Sequence, residues 1–327
     1  MHNRLKPERL RHPLRIWVIL AAGIFLLAAL FAGVDYTQNK RVIMQYQALL
    51  TADVQNLTVD GIRLSYRAMG QSPDEQQLPA LSAEPILLIH GFLGSSYDFS
   101  RVMPELAKDR PVIAVDLAGF GLSDKSPDLD YSKQHMAELM LRFMDQLGYR
   151  QYAIMGHSMG GEIALRMTLA EPGRITRLIL VSSGGSADIQ RGFRSAVPEW
   201  LLEHMFKNYL VQRLYFPLAV GSLCAASTAI FDPFFYFNKQ IPAATLNQMT
   251  LSNDSGQIAG RLGEILQPSL LVWGREDRVI PLSQGRLFKE RIPDSRLVVF
   301  DHCGHLVALE RPAELLAEVQ AFLAEPG

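Results

Sequence analysis

From residue 54 onward, short unbroken apolar runs alternate with stretches of helical spacing. Residues 86–89, 112–115, 152–155 and 178–181 are apolar throughout, as strands buried on both faces are. Between the second and third of these runs, Met136, Leu139, Met140, Phe143, Met144 and Leu147 recur three and four positions apart, with Ser132 as a candidate cap and Gly148 beyond. Strand alternating with helix predicts an α/β protein, a mainly parallel sheet covered on both faces. Ahead of it, residues 57–68 read as two strands about the hairpin signal Asp60-Gly61, and residues 71–84 as a polar, proline-containing loop. Further along, residues 268–274 and 296–300 read as buried strands.

The amino terminus has a different pattern. Residues 16–34 form a 19-residue uncharged stretch. As a helix it would extend about 28 Å, close to a bilayer's hydrocarbon thickness. Arg4, Lys6, Arg9, Arg11 and Arg15 precede it against Glu8 alone, whereas Asp35, Lys40 and Arg41 follow. The positive-inside rule then keeps the terminus cytoplasmic and the remaining chain on the outer or periplasmic side. A cleaved signal peptide with a secreted product is the rival reading; the stretch exceeds a usual signal core and lacks a clean Ala-x-Ala site. The expected organisation is a cytoplasmic basic tail over 1–15, a membrane anchor over 16–34, a short juxtamembrane helix or stalk over 35–53 and one large domain over 54–327.

Candidate chemistry begins where the strand at 152–155 meets Gly156-His157-Ser158-Met159-Gly160-Gly161 and a helix-like stretch from Glu162. A Gly-x-Ser-x-Gly between strand and helix is the context of a nucleophile elbow, which lifts a serine hydroxyl towards a base and a carbonyl. Ser158 is therefore the candidate nucleophile. Asp277 lies in a loop after the strand at 268–274, and His305 lies in Asp301-His302-Cys303-Gly304-His305 after the strand at 296–300. Asp277 is the candidate acid, with Glu276 and Asp301 as alternatives and a solvated carboxylate paired with Arg275 or Arg278 as the bland reading. His305 is the candidate base, ahead of His302.

With these motifs the chain resembles the serine-dependent α/β-hydrolases, over approximately residues 54–325. The resemblance also rests on His90-Gly91-Phe92, Gly119-Phe120-Gly121-Leu122-Ser123 and Gly304-His305. It implies an α/β-hydrolase fold with a mostly parallel eight-stranded sheet, helices on both faces and a helical cap at about 186–255 inserted after the sixth strand. It also implies a Ser158–His305–Asp277 triad acting through an acyl-enzyme, with backbone amides of Phe92 and Met159 as the oxyanion hole. His90, Gly91 and His157 are the candidate substrate-binding residues, His90 and His157 being expected to shape the oxyanion loop and elbow by hydrogen bonding, and Asp116 and Ser123 to fix the neighbouring loop.

More than eighty residues separate the strand ending near Ser182 from the one starting at Ser269, too many for a simple connection. They carry Trp200, Phe206, Tyr209, Tyr215, Phe216, Phe231, Phe234, Phe235, Tyr236 and Phe237, read mainly as cap core. An uncharged stretch over 214–231 raises a second membrane span. Pro217 and Gly221 oppose it, and such a span would part Ser158 from Asp277 across the bilayer.

Net charge is −1, with Lys and Arg scattered beyond residue 40, so no basic stripe indicates nucleic acid. Cys224 and Cys303 are too few for a disulfide scaffold; Cys303 is expected to pack beside the histidine loop. Without a Cys-x-x-Cys or His-Glu-x-x-His pattern, no metal and no cofactor are expected. The expected activity is hydrolysis of lipophilic acyl esters such as monoacylglycerol-like lipids, with the bilayer as partner through residues 16–34. Carbon–carbon bond hydrolysis, amide or prolyl peptide cleavage, and a noncatalytic binder are the alternatives. Epoxide hydrolases and haloalkane dehalogenases of this fold place an aspartate where Ser158 stands.

Overall fold

The computed structural model describes residues 11–70, 84–185, 198–220, 227–252 and 258–325. A long helix, α1 (Arg11–Thr51), leads into the hairpin β1 (Val54–Val59) and β2 (Ile62–Met69). Asp60 and Gly61 form its turn with φ 52° and 81°, the left-handed pair that an Asp-Gly turn supplies. Then come β3 (Ile86–Ile89), the short α2 (Met103–Leu106), β4 (Val112–Val115), α3 (Lys133–Gln146), β5 (Tyr152–His157), α4 (Met159–Ala170) and β6 (Ile175–Val181). Four helices follow: α5 (Glu199–Lys207), α6 (Tyr209–Val220), α7 (Thr228–Asn238) and α8 (Ala243–Leu251). The chain closes with β7 (Ser269–Gly274), α9 (Leu282–Arg291), β8 (Ser295–Phe300), α10 (Val307–Glu310) and α11 (Pro312–Ala324).

The eight strands form one sheet in the order β1-β2-β4-β3-β5-β6-β7-β8, antiparallel from β1 to β4 and parallel thereafter. Strands β3, β4, β5 and β7 are buried along their whole length, which accounts for their unbroken apolar character. One apolar layer contains Phe143, Met144, Ile163, Leu165 and Trp273, the other Phe99, Met155, Val272, Val319 and Phe322. The predicted helix over 136–147 is α3, and the Ser132 hydroxyl caps it by accepting from the His135 amide at 3.2 Å. The polar loop expected over 71–84 lies outside the described residues except for its last position.

The cap joins the sheet after β6, as expected; within the expected 186–255, residues 186–197, 221–226 and 253–255 lie outside the described residues. Phe231 and Phe235 are fully buried within it, in keeping with the reading of most cap aromatics as core, whereas Trp200 is 70% exposed. The uncharged stretch over 214–231 is divided between α6 and α7.

Among the described residues, no helix is long and apolar enough to cross a membrane. The anchor expected at 16–34 is helical in its backbone, within α1, but its side chains up to residue 25 lie outside the described residues. Over the stretch at 35–53, α1 runs unbroken to Thr51 and packs on the cap, burying Val42 and Leu50 against Tyr209, Phe216 and Phe231. An open groove of about 720 Å³ runs between α1 and α5.

Candidate active site

Ser158 sits between the last residue of β5 and the first of α4, with φ 53° and ψ −117°. A side-chain-bearing residue adopts this conformation only when its surroundings impose it. Here the Ser158 amide donates to the Val181 carbonyl at 3.0 Å, and the Ser158 carbonyl accepts from the Gly184 amide at 2.8 Å. The turn is so tight that a Cβ on Gly160 would collide with the carbonyls of Ile89 and His90. Glycine at that position is thus a requirement of close approach between α4 and β3.

Asp277 follows β7 and His305 follows β8, and the two side chains meet. His305 Nδ1 donates to Asp277 Oδ2 at 2.9 Å, with the carboxylate fully buried. The other oxygen, Oδ1, accepts from the Val279 and Ile280 amides, each at 2.9 Å. These bonds fix the Nδ1–H tautomer of His305 and leave Nε2 as its proton acceptor. The alternative acids are engaged elsewhere: Glu276 Oε2 accepts from the Cys303 amide at 3.0 Å, and Asp301 forms a surface ion pair with Arg275. His302 is exposed.

No hydrogen bond joins the Ser158 hydroxyl to His305 among the described residues; the elbow's contact with the histidine loop is made by the neighbouring His157. His157 Nε2 donates to the His305 carbonyl at 2.9 Å, and the two imidazoles lie 4.7 Å apart. Burial, reinforced by the neighbouring His305, pushes the His157 pKa down to about 3, so its ring is neutral near pH 7. His90 is also buried and its pKa lowered, chiefly by desolvation. Its Nδ1 donates to the Gly91 carbonyl at 2.7 Å and its Nε2 accepts from the Leu117 amide at 3.0 Å, tying β3's exit to β4's. Asp116 accepts from the Ser96 and Leu122 amides at 2.6 and 2.8 Å, and Ser123 bonds the Asp116 carbonyl at 2.6 Å. Asp116 and Ser123 therefore fix neighbouring loops, as expected.

A Cβ on Gly91, the residue just before the Phe92 amide, would lie 2.9 Å from Ser158 Cβ. That amide donates to no acceptor among the described residues. Met159 opens α4, where the first amides have no partner inside the helix. Neither the Phe92 nor the Met159 amide has an acceptor among the described residues. Next to them lies a cavity of about 590 Å³ whose wall includes Ser158, Met159, Phe92, Phe120, Met205 and Met249. The cap reaches the machinery directly: Asn238 Nδ2 donates to the Leu93 carbonyl at 2.9 Å, and the Val220 carbonyl accepts from the His305 amide at 3.2 Å.

Residues 84–211 and 236–312 match the family model described as the alpha/beta hydrolase fold. The chain belongs to this family. It is 30% identical, over 81% of its length and 95% of the relative's, to an uncharacterized hydrolase, YugF, of Bacillus subtilis (strain 168). It is 28% identical to the 2-hydroxymuconate semialdehyde hydrolase of Pseudomonas sp. (strain CF600), over 74% of this chain and 87% of the relative. Among solved structures it superimposes on a membrane phospholipase A, a bacterial virulence factor, with a TM-score of 0.68 and 25% identity, covering 93% of this chain and 97% of the other.

Some site residues leave little trace in the sequence. Glu310 brackets the histidine loop, its carboxylate accepting from the Gly304 and Leu306 amides at 3.0 Å each. Its only signal is an acidic residue shortly after Gly304-His305. Cys303 is buried beside that loop, as expected, and burial raises its thiol above the ordinary range.

Proposed function

We propose that this member of the α/β-hydrolase family is a serine hydrolase cleaving carboxylic esters of lipophilic acyl groups, monoacylglycerol-like lipids among them. Ser158 attacks the acyl carbonyl, His305 accepts its proton and returns it to the leaving alcohol, and Asp277 orients the imidazole and stabilises its charged form. The amides of Phe92 and Met159 receive the oxyanion, and water attacks the acyl-enzyme with His305 again as base. The observation that carries the reading is the 2.9 Å bond from His305 Nδ1 to buried Asp277, two residues that follow separate strands as the triad requires. No metal or cofactor enters these steps.

The lipophilic element rests on the cavity wall, where Phe92, Phe120, Met136, Leu201, Met205 and Phe206 surround the approach to Ser158. Membrane attachment through residues 16–34, with the catalytic domain on the outer or periplasmic side, is part of the proposal. It draws on the uncharged stretch, on Leu26, Leu27 and Leu30 exposed at 68%, 68% and 65%, and on the likeness to a membrane phospholipase A. An anchor of this kind keeps the cavity close to lipid substrates.

The 28% identity to a 2-hydroxymuconate semialdehyde hydrolase favours a second reading, carbon–carbon bond hydrolysis by the same serine. Turnover of monoacylglycerols, short water-soluble esters and dienone acids by the full-length chain in detergent separates the two. The proposal expects the highest kcat/KM on the long acyl esters. Preference for dienone acids would replace it with the second reading, and preference for short polar esters would remove its lipid element.

A further inference from the structure

Glu162, in the first turn of α4, is fully buried, yet only one of its carboxylate oxygens is used. Oε1 accepts from Arg166 Nη2 at 3.2 Å, whereas Oε2 has no hydrogen-bond partner. A helix N-terminus favours an acidic side chain, and Arg166 balances the charge, so together they account for a glutamate here. They do not account for the second oxygen, because a buried acceptor left unpaired is destabilising.

The place of that oxygen supplies a reason. Glu162 and Gly184 both belong to the cavity wall beside Ser158. Oε2 lies 3.6 Å from the point a Cβ on residue 184 would occupy, so a side chain there would pack directly against it where the glycine does not. Glu162 is one helical turn beyond Ser158, its amide donating to the Ser158 carbonyl at 3.3 Å. One turn is about 5.4 Å, a few bonds' reach from a carbonyl held at the serine.

We propose that Glu162 Oε2 accepts a hydrogen bond from a hydroxyl of the substrate, about one helical turn from the scissile carbonyl, and so selects hydroxyl-bearing acyl esters. This rests on the esterase reading above. With Arg166 already paired to the carboxylate, the open acceptor suits a neutral hydroxyl better than an ammonium group. The hydroxyl belongs either to the acyl chain or to a polyol leaving group such as glycerol; the chemistry of recognition is shared.

The test measures kcat/KM for an alkanoate methyl ester, the same ester hydroxylated at successive chain carbons, and the matching 1-monoacylglycerol. The wild type is expected to prefer a hydroxyl-bearing ester over the plain one by about tenfold or more, as for a hydrogen bond to a charged group. Which arm carries the preference identifies the source of the hydroxyl. Glu162→Gln keeps an oxygen for Arg166, puts an NH2 at the other position and should bring the ratio close to one. Gly184→Ala is the second variant, needed if Glu162→Gln fails to fold. It narrows the approach to Oε2 through contacts no closer than 3.4 Å and should lower the same ratio. A wild type without preference, or a ratio unchanged in whichever variants fold, overturns the inference. Fluorophosphonate labelling of wild-type Ser158 distinguishes the failures: absent labelling and turnover bring down the esterase reading, and present labelling confines the failure to Glu162.

Discussion

Arg41 on α1 meets the buried carboxylate of Asp232 on cap helix α7 at 2.8 Å. The other Asp232 oxygen accepts from the Tyr209 hydroxyl at 2.9 Å. Asp35 accepts from the Leu210 amide at 3.0 Å, and Lys239 bonds Asn39 at 2.6 Å. The helix carrying the candidate anchor is thereby bonded to the cap at α6 and at both the middle and the end of α7, and the cap in turn touches the loops after Phe92 and around His305.

Removing Arg41 leaves Asp232 a buried charge with only the Tyr209 hydroxyl. A buried pair broken on one side costs about 3–5 kcal/mol. Because Arg41 is 37% exposed and water partly replaces it, Arg41→Ala should cost about 2 kcal/mol. Thermal unfolding of Arg41→Ala and Asp232→Asn checks this; the neutral amide introduced by Asp232→Asn needs no cation, so that variant should lose less.

The three acidic candidates separate by substitution. Asp277→Asn keeps the shape but cannot hold the Nδ1–H tautomer of His305, and kcat should fall by about 10⁴-fold with the fold intact. Asp301→Asn touches an exposed pair only and should change neither stability nor kcat measurably. Glu276→Gln retains an acceptor for the Cys303 amide and should stay far closer to wild type than Asp277→Asn. Steady-state kinetics on one ester substrate ranks all three.

Stability should depend on pH through His157. Its pKa is lowered to about 3 in the folded chain, against about 6.5 when unfolded. Between those values the unfolded state binds the extra proton, so stability falls as pH drops from about 6.5 towards 3, by up to about 1.4 kcal/mol per pH unit. His157→Gln keeps a donor for the His305 carbonyl but cannot titrate. Its melting temperature should therefore fall less steeply on acidification, retaining the contribution of His90, which has the same sign.

Close approach makes Gly160 intolerant. Gly160→Ala forces a Cβ against two backbone carbonyls of the β3 exit, which no rotamer change relieves. The expected cost is about 3 kcal/mol or more, with loss of Ser158 reactivity in whatever folds. Circular dichroism melts and residual labelling measure both.

Much of the sheet was legible because β3, β4, β5 and β7 are buried throughout and carry almost unbroken apolar runs, and six sequence-read runs fall on β3 to β8. The hairpin was legible from Asp60-Gly61 alone. Ser158, Asp277 and His305 could be read because each follows a recognisable strand in a short loop with its own glycine or turn signal. The docking of α1 was not, since Arg41 and Asp232 are 191 positions apart and each looks like an ordinary surface charge. The same holds for His157, read as shaping the elbow: nothing local shows its ring bonded to a carbonyl 148 residues away. Which cap aromatic stands outside the core, Trp200, was not legible, because aromatic composition reports a cap without reporting which face is covered.

Reaction of the full-length chain with a fluorophosphonate, followed by mass spectrometry of the modified peptide, tests the central claim most directly. The account predicts one adduct, on Ser158, absent in Ser158→Ala and formed at least about 10³-fold more slowly in His305→Ala. A folded wild type left unmodified, or modification at Ser158 as fast without His305 as with it, would contradict the account.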